Sequence, residues 1–295
     1  NEKFGTVVTE GLGGYTWYKN SRLNRLTAWN NNQVTDVPSE IIYLEDMESK
    51  KMWTVSVNPC PDNNDYYVTY GFGYSKYMHT SNGIYQELNV FEPKGDSTKG
   101  DGPVLLNHTS KEGRPVLGES DQESGSALAD QKYNTKEESV KVQILHLENK
   151  LARKKELKLV YYIKPVLDED EIKSNGYIEL DYNANMNLIT LENKTKELAN
   201  RTIMYIACSE KILSYTGSKK SFIGKGTIKN PEGIRKLELD KENSLGKDGI
   251  VAIELKIVLE AFERKDVVIT LGADENILNL KDVAYKYSNV NNAIS

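Results

Sequence analysis

The chain has 295 residues, 38% of them hydrophobic and 27% charged, with a formal net charge of −5. That length and apolar share suffice for one large domain or two smaller ones and exclude a disordered chain. Lysines are interleaved with Glu and Asp rather than gathered in a basic stripe, which argues against nucleic-acid binding.

Apolar runs such as 250–259 are short and broken by Glu254 and Lys256, so no segment reads as membrane-spanning. Two distant cysteines, Cys60 and Cys208, exclude a disulfide framework and fit a reduced, cytoplasmic setting. Tyr outnumbers Phe by 18 to 5. Tyr suits half-wet surfaces such as sugar grooves, although it also simply favours strands.

Period-2 patterning dominates from the first residues onward. Strands are expected at 5–9, 41–45, 52–57, 66–70, 74–80 and 84–91, where Ile84, Gln86, Leu88 and Val90 alternate with Tyr85, Glu87, Asn89 and Phe91. Further strands are expected from Val140 to Ile144 with His146 at the end, at 157–163, 176–181, 188–192, 203–208, 251–259 and 267–271. Ser81-Asn-Gly83, Ser174-Asn-Gly176 and Lys247-Asp-Gly249 punctuate them as turns. Many short strands at this spacing predict an all-β fold, an antiparallel sandwich of two large sheets.

Helix is sparse. Pro231 opens a short turn through Lys236, and 276–287 carries Ile277, Leu280, Val283, Ala284 and Tyr287 on one face. From Lys94 to Glu138 neither period holds, and the segment reads as a surface insertion or loop. The chain opens on Asn1 and stops in Val290-Asn-Asn-Ala-Ile-Ser295, which resembles the first turn of another helix. The expectation is a piece of a longer polypeptide, with 1–272 as the sandwich and 273–295 as the start of a helical linker to a missing catalytic domain.

Familiar chemistry is scarce. Gly11-Leu-Gly-Gly14 and Gly224-Lys-Gly-Thr227 lack the spacing and context of nucleotide loops, so no cofactor is expected. His79, His108 and His146 are not spaced as metal ligands, and His146 reads as a packed strand residue. Glu10, Asp36, Glu40 and Asp46 lie nearest the aromatic segment, but a glycosidase pair would meet only across the fold, and none is assigned a catalytic role.

The segment 4–46 is dense in Trp, Tyr, Asn and Arg within loop-like sequence. Trp and Tyr can cover the faces of a sugar ring while Asn and Arg hydrogen-bond its edges, so the candidate carbohydrate contacts are Tyr15, Trp17, Arg22, Arg25, Trp29 and Asn30. On composition alone, a long loop tied down by Arg and Asn over packed Trp fits equally well.

Ordered blocks carry a resemblance. Phe4-Gly-Thr-Val-Val-Thr-Glu10, Gly14-Tyr-Thr-Trp17, Asn20-Ser-Arg22, Asn24-Arg-Leu-Thr27, Trp29-Asn-Asn31, Val34-Thr-Asp36 and Ile42-Tyr-Leu-Glu-Asp46 are followed by Tyr70-Gly-Phe-Gly-Tyr74, Ser214-Tyr-Thr-Gly217, Phe222-Ile-Gly-Lys225 and Leu271-Gly272. Together these resemble the N-terminal domain of glycoside hydrolase family 94, the inverting β-glucan phosphorylases and the phosphorylase-like part of cyclic β-1,2-glucan synthases. The resemblance covers nearly all of the chain except 94–138.

It implies a β-supersandwich ahead of a helical linker and an (α/α)6 barrel that carries the general acid and the phosphate site. It also implies β-gluco-oligosaccharide substrates and a homodimer in which loops of this domain lie near the partner's active site. A stand-alone carbohydrate-binding protein and a purely structural dimerisation domain are the competing expectations.

Overall fold

The computed structural model describes residues 2–30, 32, 34–93, 138–197 and 201–294. The strands run β1 (Phe4–Val8), β2 (Gly14–Tyr18), β3 (Arg25–Thr27), β4 (Glu40–Asp46), β5 (Met52–Thr54), β6 (Tyr66–Gly71), β7 (Tyr74–Ser81), β8 (Ile84–Phe91), β9 (Val140–Asn149), β10 (Lys155–Ile163) and β11 (Pro165–Asp168). After the one-turn helix α1 (Glu171–Ser174) come β12 (Ile178–Asn183), β13 (Leu188–Asn193), β14 (Ile203–Cys208) and β15 (Ser214–Ser218). Helices α2 (Lys219–Ile223) and α3 (Glu232–Arg235) precede the long pair β16 (Gly249–Leu259) and β17 (Arg264–Asp274), and α4 (Ile277–Ser288) and α5 (Val290–Ile294) close the chain.

The all-β fold class expected from the sequence is what forms, with every paired strand antiparallel, but in three sheets rather than two. The largest has eight strands in the order β12-β13-β14-β17-β9-β8-β7-β6. A second has the order β15-β16-β10-β4-β5, and a small third has the order β1-β2-β3-β11. By contacts the chain divides into one unit of 1–93 with 139–295 and another of 94–138; the insertion expected at 94–138 lies, up to residue 137, outside the described residues.

Alternation decides what each sheet face meets. On β9, Leu145 and Leu147 point into the central core with Leu157, Leu159, Ile253 and Leu255 from β10 and β16. Val140, Val142 and Ile144 point outward, where Leu280, Ala284 and Tyr287 of α4 cover them. The second sheet is likewise covered on its outer side, because Ile41, Tyr43, Val160 and Tyr162 pack against Phe222 of α2 and Ile234 of α3. Strand β4 is therefore buried along its whole length. Each fully buried Leu, Ile or Val contributes about 1.5–3 kcal/mol, so these layers supply the main driving force.

Several buried polar groups are paired. Trp53 Nε1 donates to Gln86 Oε1 at 2.9 Å, and Gln86 Nε2 donates to the carbonyls of Thr54 and Val55. Lys155 Nζ meets Asp46 Oδ2 at 2.5 Å, with both side chains almost fully buried. Lys141 donates to Glu40, whose other oxygen accepts from Tyr161 OH at 2.6 Å, and Gln143 Nε2 donates to Tyr161 OH at 2.7 Å. A buried charge is tolerated only when it is partnered in this way.

Candidate functional site

The segment read as loop-like is strand over nearly half of its length. β1 and β2 pair with Gly5 opposite Trp17, and β2 meets β3 with Trp17 opposite Arg25. Asn20, Ser21 and Asn24 do form the connecting turn: Asn20 Oδ1 accepts from the backbone N–H groups of Arg22 and Leu23, both at 2.9 Å. Asn24 Nδ2 ties that turn to Tyr18 O at 3.0 Å and to Thr202 Oγ1 at 2.9 Å.

Positions two apart on a strand share a face. Thr16 and Tyr18 are buried, whereas Tyr15 and Trp17 are only half-buried. The Trp17 ring lies across Gly5, where an added Cβ would come within 2.1 Å of Trp17 Cζ2. An aromatic ring laid over a glycine of a neighbouring edge strand covers backbone that would otherwise be bare.

Tyr15 joins the rings. Its centroid is 5.5 Å from that of Trp17, and it stacks on Trp29 at 5.0 Å with the planes 27° apart. Trp29 follows β3 and is 39% exposed. The Arg25 guanidinium carbon lies 5.4 Å from the centroids of both Tyr15 and Trp29. Among the described residues, its one hydrogen bond runs from Nε to Ser21 O at 3.4 Å. The result is an aromatic shelf with a cationic donor at its edge, a combination suited to a flat polyhydroxylated ligand. The structure thus brings together four of the six candidates; Arg22 and Asn30 are exposed and take no part in these ring-stacking and cation–π pairs.

The carboxylates near the shelf are engaged elsewhere. Asp36 accepts from Thr9 Oγ1 at 2.5 Å, Glu40 and Asp46 are held by buried lysines, and Glu10 is exposed. Burial raises the Asp46 carboxyl, but hydrogen bonds from Lys155 and from the Glu48 and Ser49 backbone outweigh it and hold the group below the usual carboxylate range. Tyr18, beneath the shelf, is pushed up to about 12 by burial and by Asp274 and Glu275. Burial pushes the Cys60 thiol up to about 11 and raises Cys208 as well, so neither is poised as a thiolate. Behind Tyr15, a cavity of about 10 Å³ bounded by Gly14, Glu40, Lys141 and Gln143 is far too small for a sugar, which leaves only the outer side of the shelf.

His146 departs from the expectation of a packed residue. It does sit on β9, but beyond the end of the α4 cover, half-exposed and hydrogen-bonded to Asp266. Among the described residues no group of three His, Cys, Asp or Glu could hold a metal ion, and no helix is long and apolar enough to cross a membrane.

Residues 1–114 and 133–290 match the family described as "Glycosyl hydrolase 94, supersandwich domain". The chain belongs to this family. The supersandwich domain is 33% identical over 118 residues to an N,N'-diacetylchitobiose phosphorylase of Vibrio proteolyticus, a match covering 39% of this chain and 15% of that protein. It is 22% identical over 279 residues to the cyclic beta-(1,2)-glucan synthase of Rhizobium meliloti (strain 1021), covering 94% of this chain and 8% of that protein. The chain therefore spans only a small part of the length of these curated relatives. Among solved structures, a "Putative kojibiose phosphorylase from human microbiome" aligns over 100% of this chain and 33% of that one, with a TM-score of 0.42 and 11% identity.

Proposed function

We propose that this supersandwich domain is a non-catalytic carbohydrate-recognition and assembly domain of an inverting phosphorylase-type enzyme acting on β-linked gluco-oligosaccharides. In this reading the chemistry belongs to an (α/α)6 barrel of the same polypeptide, reached through a linker that begins with α4. A cytoplasmic homodimer brings the aromatic shelf close to the sugar site of the partner. The observation that carries the proposal is the Tyr15–Trp29 stack edged by Arg25, with Trp29 39% exposed and Tyr15 half-buried. Exposed stacked aromatics cost solvation unless a ligand or partner covers them.

The glucan synthase, 22% identical along 94% of the chain, supports an unsubstituted β-glucan as the ligand, and the chitobiose phosphorylase, 33% identical along 39% of it, makes an N-acetylated sugar the rival. Titration calorimetry with β-1,2- and β-1,4-linked gluco-oligosaccharides, and with N,N'-diacetylchitobiose for comparison, tests this. Binding should weaken by about tenfold in Trp29→Ala, a loss of about 1.4 kcal/mol. Phosphorolysis of β-glucans by this chain alone, or tighter binding of the N-acetylated disaccharide, would refute the corresponding part of the proposal.

A further inference from the structure

The outer face of the eight-stranded sheet changes character along β9. Val140, Val142 and Ile144 lie under α4 and α5, and the next outward positions are His146 and Glu148. Register carries that change across the sheet. One row runs Tyr67, Met78, Glu87, His146, Asp266 over β6, β7, β8, β9 and β17. The neighbouring row runs Thr80, Tyr85, Glu148, Arg264. At an inter-strand spacing of about 4.8 Å, the longer row spans about 19 Å.

Two open cavities, of about 410 Å³ and 490 Å³, lie along these rows and share Tyr85. Each falls in the range of small-molecule sites, and together they form a groove for a ligand several rings long.

Tyr85 is held in a telling posture. Its OH donates to Glu87 Oε2 at 3.0 Å, two positions along the same strand face, so the ring leans along the strand, and Lys150 Nζ lies over one of its faces, 5.4 Å from the centroid. Around it the carboxylates have side-chain partners. Glu87 is paired with Lys76 at 2.7 Å, Glu148 with Lys150 at 2.7 Å and with Arg264 at 3.4 Å, and Asp266 with His146. Tyr67, 60% exposed, provides a second ring at the β6 end. Such a surface carries side chains of both signs rather than a cluster of one sign. It offers alternating donors and acceptors beside apolar ring faces, the complement of a neutral polyhydroxylated chain.

We infer that this groove, centred on Tyr85 and flanked by Tyr67, His146, Arg264 and Asp266, is a second glycan-binding surface for a neutral oligosaccharide, sharing no residue with the Tyr15–Trp29 shelf. It holds the chain of a long substrate by stacking and edge hydrogen bonds and takes no part in bond cleavage.

Titration of Trp29→Ala with linear β-1,2- and β-1,4-linked gluco-oligosaccharides separates the two surfaces. That variant should still bind, and adding Tyr85→Ala or Arg264→Ala should weaken the remaining affinity by about tenfold. Tyr85→Phe, which keeps the ring, should stay within a few-fold of its parent, with unchanged circular dichroism showing that the sheet is intact. Loss of all binding in Trp29→Ala, or unchanged affinity in both Tyr85→Ala and Arg264→Ala, would overturn the inference; binding lost with Trp29 alone would leave only the shelf.

Discussion

At the scale of single residues, buried ion pairs make the strongest demands. Asp46 and Lys155 face each other from β4 and β10, with side chains only 2% and 3% exposed. Removing one partner leaves the other charge buried, which costs about 3–5 kcal/mol. The Asp46 carboxyl is raised by burial, lowered more by its hydrogen bonds, and ends below its ordinary 3.8. A depressed carboxylate contributes stability above the unfolded value, and that stability is lost as pH falls through the folded one. Denaturant melts should therefore show stability falling below pH 3.8, and Asp46→Asn should be less stable at neutral pH with a flatter acid limb. An unchanged acid limb in Asp46→Asn would show that the pair is not the source.

Candidate residues were legible from the sequence where chemistry announced itself. Tyr15, Trp17, Arg25 and Trp29 stood out as an aromatic and cationic set, and the structure gathers them. Arg22 and Asn30 looked equivalent, but they project from a turn and from the segment after β3. Tyr85, His146, Arg264 and Asp266 escaped because each occupies an outward strand position, where a polar or half-polar side chain is ordinary. Only the pairing of β8, β9 and β17 shows that they share one end of one face.

At the scale of elements, long strands declared themselves, whereas the short strands β2, β3, β11 and β15 did not. β8 alternates cleanly over 8 residues, and β10 and β16, of 9 and 11 residues, keep a period-2 row of apolar residues although most of both faces is buried. β3 has 3 residues and β11 has 4, too few to show a period, and both lie beside turn-forming or helix-capping sequence. Helix α4 was legible because Leu280, Ala284 and Tyr287 fall on one face and Asn276 caps it, its Oδ1 accepting from Leu278 N at 2.8 Å. Of the third sheet only β1 was legible, because the rest is assembled from such short pieces.

That sheet depends on the close approach of Trp17 to Gly5. A methyl group at position 5 would enter the ring, and overpacking of this kind costs about 1–3 kcal/mol. Gly5→Ala should lower the melting temperature and weaken the near-ultraviolet circular dichroism of the stacked aromatics. If both stay at wild-type values, Trp17 does not depend on that glycine.

At the scale of the whole molecule, the tyrosines connect the core to alkaline stability. Burial is the leading cause that lifts Tyr43, Tyr77, Tyr161 and Tyr162 well above the ordinary value of 10.0, and Tyr18 rises to about 12. These rings come from β2, β4, β7 and β10, so all three sheets are involved. A raised folded-state value means that stability is intact below pH 10.0 and is lost as pH climbs toward the folded values. Tyrosine ionisation followed by absorbance should leave a fraction untitrated until far-ultraviolet circular dichroism reports unfolding, at which point the two curves should coincide. A smooth titration of all tyrosines near pH 10.0 with the fold intact would contradict this packing.

The central claim, that the half-open aromatic shelf recognises a β-linked sugar, rests on the different exposure of the three tryptophans. Trp53 is sealed in the core against Gln86, Trp17 lies over Gly5, and Trp29 is exposed. Acrylamide quenching of tryptophan fluorescence, repeated with saturating β-1,2- or β-1,4-linked gluco-oligosaccharide, addresses that difference directly. The account predicts that sugar reduces the quenchable fraction in the wild-type chain and has no such effect in Trp29→Ala. Quenching that is identical with and without sugar in the wild-type chain would contradict it.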